Sequence, residues 1–280
     1  VSQSSPREAG RRATAPTLSS QATPKQAIAR MRSSVVSIND SDPEGPIGSG
    51  VIVRGGDEHD GVVATALHVV RDVAPEVLQI GFPVPPGDRA RGELTMIGGT
   101  VVETDERNDL ALLRMEHTAF LTHGVPHPSG GTYPATVAEL EAERPEDGED
   151  VMISGFPMGY RYVLNSAGII ACAWGDQGID HFVESPERGV AADGPLDRYL
   201  VDISVNPGNS GGPCYRVDDQ RVVGICEAFQ LIEVEFEDNG GVADGDTVLA
   251  VDDRQRSVLQ NADITFVVPA KYVIALFEAV

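Results

Sequence analysis

From Ser33 onward the chain sets short apolar runs between clusters of Gly, Pro, Asp and Asn. Six runs come first: Val35–Ile38, Gly50–Val53, Val62–Thr65, Val77–Phe82, Leu94–Glu103 and Leu110–Met115. Six more follow: Val151–Ser154, Tyr162–Ala173, Tyr199–Val205, Gly212–Val217, Val222–Phe229 and Thr265–Val268. Short β-branched runs bounded by turn residues predict strands, and six such strands predict a small antiparallel barrel or a sandwich in each set. Helical periodicity is confined to the ends. Pro24–Met31 turns Ile28 and Met31 inward, and Pro269–Ala279 offers Tyr272, Ile274 and Phe277 for packing. Residues 1–26 are expected to be a disordered tail or an expression remnant, followed by one folded domain over 27–280. Within it we expect strand sets at about 33–116 and 149–268, a linker at about 117–148, and the terminal helix over 269–279.

Two insertions interrupt the second set. Gly175–Arg198 carries Asp176, Asp180, Glu184, Glu187, Asp193 and Asp197. Leu231–Asp263 begins with Ile232, Val234 and Phe236 alternating against Glu233, Glu235 and Glu237, a half-buried strand whose charged face guards a sheet edge. These carboxylates lack EF-hand spacing, so neither a metal nor a cofactor is expected.

Charge narrows the partners. There are 43 acidic and 21 basic residues, a net charge of -22, and Lys25 and Lys271 are the only lysines. Nucleic acid and anionic membrane both demand a basic face, so neither is expected as a partner. No apolar run approaches the length of a bilayer span. Three cysteines, Cys172, Cys214 and Cys226, make no disulfide framework and are expected as buried free thiols. With no signal peptide visible, a soluble protein leaning to the cytoplasm is expected.

The chemistry gathers on Asn206-Pro207-Gly208-Asn209-Ser210-Gly211-Gly212-Pro213. A serine held between glycines in a tight turn suits a nucleophile, provided that a base takes its proton. The stretch also fits a nucleophile elbow, which needs its acid and histidine after the serine. All six histidines precede Ser210, so that reading fails. His68 ends an apolar strand, where an imidazole can sit between two partners. Asp109 opens Leu110–Met115, where a carboxylate can accept the other imidazole N–H and fix its tautomer.

With His68, Asp109 and Ser210 in that order on twelve strands, the chain resembles the trypsin-like serine proteases, most of all their HtrA-type bacterial branch. The resemblance rests on Gly48-Ser49-Gly50-Val51-Ile52, Thr65-Ala66-Leu67-His68-Val69-Val70, Asn108-Asp109-Leu110-Ala111-Leu112, Gly155-Phe156-Pro157-Met158-Gly159 with Gly168-Ile169-Ile170, the serine stretch, and Phe266-Val267-Val268-Pro269. It implies an all-β fold of two six-stranded antiparallel barrels with a short C-terminal helix. It also implies a serine endopeptidase acting on protein or peptide: Ser210 as nucleophile, His68 as general base and then acid, Asp109 as orienting carboxylate, and the N–H groups of Gly208 and Ser210 as oxyanion hole.

Departures from the family pattern sharpen the picture. Asn209 stands where digestive members carry the Asp that receives a new N-terminus. Ser204 stands where trypsin carries the acid that selects basic residues, and Glu227, Ala228 and Phe229 are expected to wall the pocket. Small to medium apolar P1 residues are therefore expected, with Glu227 able to meet a substrate cation or to perturb Asp109. HtrA proteases usually carry a PDZ domain after the protease, and here a protease domain without one is expected. The acidic insertions offer a docking face for a regulatory partner. The competing function is a catalytically silent binding scaffold on the same fold.

Overall fold

The computed structural model describes residues 22–40, 45–56, 59–85, 92–117, 119–174, 196–236, 251–252 and 255–279, with only the backbone of 56, 59–60, 228–236, 251–252 and 255–262 among them. The first barrel is closed by β1 (Val35–Asn39), β2 (Gly48–Gly56), β3 (His59–Ala66), β4 (Gln79–Pro83), β5 (Leu94–Asp105) and β6 (Leu110–Met115), in the order β1-β2-β3-β6-β5-β4. The linker adds a small hairpin, β7 (Val125–Pro126) with β8 (Thr132–Tyr133). The second barrel comprises β9 (Asp150–Gly155), β10 (Leu164–Cys172), β11 (Tyr199–Asp202), β12 (Pro213–Arg216), β13 (Val222–Phe236) and β15 (Gln255–Pro269), with β14 (Val251–Asp252) added to β15. Pairing of β11 with β15, from Tyr199 opposite Val267 to Asp202 opposite Ile264, closes it. The expected pair of six-stranded antiparallel barrels is what the chain forms.

The apolar pattern is explained by a double demand. A strand buried on both faces has no polar side to show. On β6, Ala111, Leu113 and Met115 fill the first barrel, while Leu110 and Leu112 point into a second cluster between the barrels. On β9, Val151 and Ile153 fill the second barrel and Met152 enters the shared cluster. Tyr215, Ile225 and Val268 join the same cluster from the second barrel, and Val35, Val51 and Val62 join it from the first. Each such side chain contributes roughly 1.5–3 kcal/mol when removed from water, so the seam between the barrels is as well built as either interior.

Both terminal helices cover that seam. α1 (Pro24–Met31) is capped by Thr23, whose hydroxyl accepts from the N–H of Gln26, and it buries Ala27 and Met31. α4 (Ala270–Glu278) buries Val273 and Leu276 against the same cluster. The expected tail boundary at residue 26 is therefore too late: the capped helix already begins at Pro24. The linker is also stitched in, with Ala138 N–H donating to Ile52 and Val222 N–H donating to Glu139.

Other edges differ from expectation. The apolar run after β3 turns helical at α2 (Leu67–Val70), and the linker holds the short helix α3 (Ala119–His123). Strands β13 and β15 continue as a paired arm, Leu231 opposite Asn261 through Phe236 opposite Arg256. Most of the acidic insertion at 175–198 and the centre of 231–263 lie outside the described residues.

Candidate active site

Three loops meet where the barrels face each other. The first is α2. Leu67, Val69 and Val70 are buried and anchor this single turn, which leaves the His68 side chain 38% exposed. The second is the turn between β5 and β6. Asn108 bonds back to Asp105 through both its N–H (3.0 Å) and its Nδ2 (2.7 Å), which folds the turn tightly. Asp109 completes it at φ 54, a left-handed conformation that Asp tolerates better than most residues. Its carbonyl accepts the N–H of Leu67 at 2.8 Å.

Asp109 grips the histidine twice. Oδ1 accepts the His68 N–H at 3.0 Å, and Oδ2 lies 2.5 Å from His68 Nδ1. The carboxylate is only 2% exposed, and because an ionised carboxylate can only accept, the Nδ1 that faces it is the donor of the pair.

The third loop carries Ser210. Pro207 and Gly208 occupy the centre of a turn closed by Asn209 N–H to the Asn206 carbonyl at 3.0 Å, with Gly208 at φ 96. A Cβ there would also run 2.5 Å from the carbonyl oxygen of Phe156. Only glycine meets both conditions. Among the described residues the N–H groups of Gly208 and Ser210 have no backbone acceptor.

The serine loop is fastened to the first barrel by Ser49. Its N–H donates to the Ser210 carbonyl at 2.9 Å, its hydroxyl donates to the Gly208 carbonyl at 2.6 Å, and that hydroxyl oxygen accepts the Phe156 N–H at 2.8 Å. The Ser210 hydroxyl itself donates to the main-chain carbonyl of Glu227 at 3.0 Å. In this conformation His68 and Asp109 are joined, and the serine hydroxyl rests on its own barrel.

The residues expected to form the pocket are described only in part. Ser204 is exposed. Ala228 and Phe229 have side chains outside the described residues. Glu227 is 3% exposed and turned inward, its Oε2 2.5 Å from Nε of Arg198, which is 1% exposed. Arg198 extends Nη1 to the Asn108 side chain at 3.3 Å. The Glu227 carboxylate thus meets Arg198 within the protein, because a buried charge must find a partner. Asn209, next to Ser210, is buried, as a neutral residue can be.

Ser49, Asn108 and Arg198 escaped the sequence reading as parts of the site. Glu227 inside an apolar strand was the available signal, since a lone carboxylate there demands a hidden cation. The cysteines flanking the serine loop are buried and free, and burial pushes the Cys226 thiol up to about 12, which keeps it protonated and unreactive. Among the described residues no cluster of His, Cys, Asp and Glu is arranged to hold a metal, and no helix is long and apolar enough to cross a membrane.

This geometry coincides with similarity to known proteins. The trypsin-like peptidase domain family matches residues 48–225. A probable periplasmic serine endoprotease, DegP-like, from Marinomonas sp. (strain MWYL1) is 28% identical over 179 residues, covering 64% of this chain and 29% of that protein. A protein of the same description from Rhizobium meliloti (strain 1021) is 30% identical over 183 residues, covering 65% of this chain and 28% of its own length. The chain thus spans under a third of these curated relatives. Among solved structures, Rv3671c from M. tuberculosis H37Rv as the Ser343Ala mutant in an inactive form has a TM-score of 0.54 at 20% identity, over 93% of this chain and 94% of that one. The Rv3671c protease in an inactive form gives 0.55 at 20% identity, over 93% and 97%. At that identity the likeness is one of fold. By its family match, which covers more than half of the chain and reaches into both barrels, the chain belongs to the trypsin-like peptidases, with DegP-like endoproteases among its relatives.

Proposed function

We propose that the chain is a serine endopeptidase that cleaves peptide bonds through an acyl-enzyme. The single observation that carries this is His68 Nδ1 bonded to a buried Asp109 carboxylate at 2.5 Å, beside a serine loop tied across the seam by Ser49. The hydroxyl of Ser210 leaves the Glu227 carbonyl by rotation about χ1 and gives its proton to His68 Nε2 as it attacks the scissile carbonyl. Asp109 stabilises the imidazolium. The N–H groups of Gly208 and Ser210 receive the oxyanion. His68 then protonates the leaving amine, and a water activated in the same way releases the acid product.

Small to medium apolar P1 residues fit best, because Ser204 is neutral and the buried Glu227 carboxylate is matched by Arg198. Peptide-library profiling should return such residues, and a profile dominated by Arg or Lys would exclude them. Regulation by a partner docking on the acidic insertion at 175–198 is part of the same proposal. Deleting part of that insertion should leave the fold intact and alter activation, and unchanged cleavage would count against it.

A second reading is favoured by one observation, the Ser210 hydroxyl resting on Glu227 instead of on the imidazole. It makes the protein a silent scaffold. A fluorophosphonate probe separates the two. Labelling that is lost in Ser210→Ala supports the peptidase. Absence of labelling under every condition supports the scaffold.

A further inference from the structure

Arg198 is fully buried, the first among the largest such side chains of the described residues. Its guanidinium faces Glu227 with two prongs, Nε to Oε2 at 2.5 Å and Nη2 to Oε1 at 3.4 Å. A buried pair of this kind is often no more stabilising than two apolar side chains of the same volume. Stability alone therefore does not account for placing one beside an active site.

The third prong supplies a reason. Nη1 donates to Asn108 Oδ1 at 3.3 Å and to the Asp197 carbonyl at 2.9 Å. Asn108 belongs to the first barrel and directly precedes Asp109, which holds His68. Glu227 belongs to β13 of the second barrel, and its main-chain carbonyl holds the Ser210 hydroxyl. One guanidinium therefore touches the residue next to the histidine's carboxylate and the residue on which the serine rests.

We propose that Arg198 is a positioning residue for the reaction, acting through Asn108 and Glu227 to set the separation between the imidazole and the serine hydroxyl. This rests on the serine peptidase reading. A planar fork with several fixed donors can hold two loops at once, and a lysine ammonium cannot reproduce that geometry. The arrangement matters because a misplacement of about 1 Å at a reacting pair costs on the order of 10²-fold in rate.

The test compares catalysis with folding. The probes are a peptide amide with Leu at P1 and a chromogenic leaving group, and the rate of fluorophosphonate labelling. Wild type and Ser210→Ala come first: if hydrolysis by wild type does not depend on Ser210, the peptidase reading itself fails. Given Ser210-dependent hydrolysis, the double variant Arg198→Met with Glu227→Leu removes both charges and retains apolar bulk. It is expected to fold with a similar thermal midpoint and an unchanged KM, while kcat and the labelling rate fall about 10²-fold. Arg198→Lys is expected to lose about tenfold in kcat, again at constant KM. Should the double variant fail to fold, Asn108→Ala keeps the ion pair and cuts its link to the Asp109 turn together with the Nδ2 bond to Asp105, with the same split of lowered kcat and steady KM expected. Wild-type kcat in a folded double variant, or in Asn108→Ala, overturns the inference and leaves the peptidase reading standing.

Discussion

The two barrels bring unequal things to the same cleft. The first barrel offers a histidine already locked to its carboxylate by two hydrogen bonds, on a turn whose backbone is pinned at both ends. Its interior is aliphatic apart from Phe82 and Tyr133. The second barrel offers a serine whose hydroxyl is bonded to its own barrel, on a loop that depends on Ser49 of the other barrel for its shape. It also buries an ion pair beside the site. The half with His68 and Asp109 is thus held by hydrogen bonds within the first barrel. The half with Ser210 is held across the seam by Ser49, with its hydroxyl on the Glu227 carbonyl.

The sharpest way to break this contrast is at Asp109. Asp109→Asn should lower kcat/KM by about 10⁴-fold through loss of the correct imidazole tautomer, while the unfolding midpoint changes little. Comparable activity in steady-state assays would mean that the fixed half is not the catalytic one. On the serine side, Gly208→Ala cannot keep φ 96 without strain and strikes the Phe156 carbonyl. Its fluorophosphonate labelling should fall about 10²–10³-fold with His68 and Asp109 undisturbed. A third variant tests whether packing and chemistry separate. Leu113→Ala in the first barrel's interior should cost about 2–5 kcal/mol in denaturant unfolding, with kcat of the folded protein close to wild type.

The smallest effect is expected at Asp197, next to Arg198. Burial pushes its carboxyl up, yet the hydrogen bonds from Lys271 and Arg144 outweigh burial and leave it below the ordinary value. A carboxyl depressed in the folded state adds stability above its unfolded value and loses it as pH falls through the folded one. Asp197→Asn should therefore be less stable than wild type at neutral pH, and the gap should close below about pH 4 in thermal melts. A gap that persists at lower pH would show that charge is not what Asp197 contributes.

The fold was legible because the apolar runs are doubly buried, which makes them stand out from their Gly, Pro and Asp surroundings. Pro24–Met31 was legible to the residue, since Thr23, Pro24 and Gln26 together form a capped start. Leu67–Val70 was not, because four apolar residues are too few to reveal a helical period. His68, Asp109 and Ser210 could be found by chain order and turn position, and the structure brings the first two into contact. Arg198 could not be found by spacing. It lies 29 residues from Glu227 and 90 from Asn108, and only three-dimensional closure makes them neighbours. Ser49 could not be found either, since nothing in Gly48-Ser49-Gly50 tells that its hydroxyl reaches Gly208 across the seam.

Barrel closure sets a lower limit on how far the protein can be cut back. The family match runs over 48–225, but β1 lies before that stretch and β15 lies after it. Excising the matched segment would leave β2 and β4 without the strand between them, and β11 and β13 likewise. Four rows of peptide groups would then face water unpaired, an invitation to intermolecular sheet growth rather than to a smaller working enzyme.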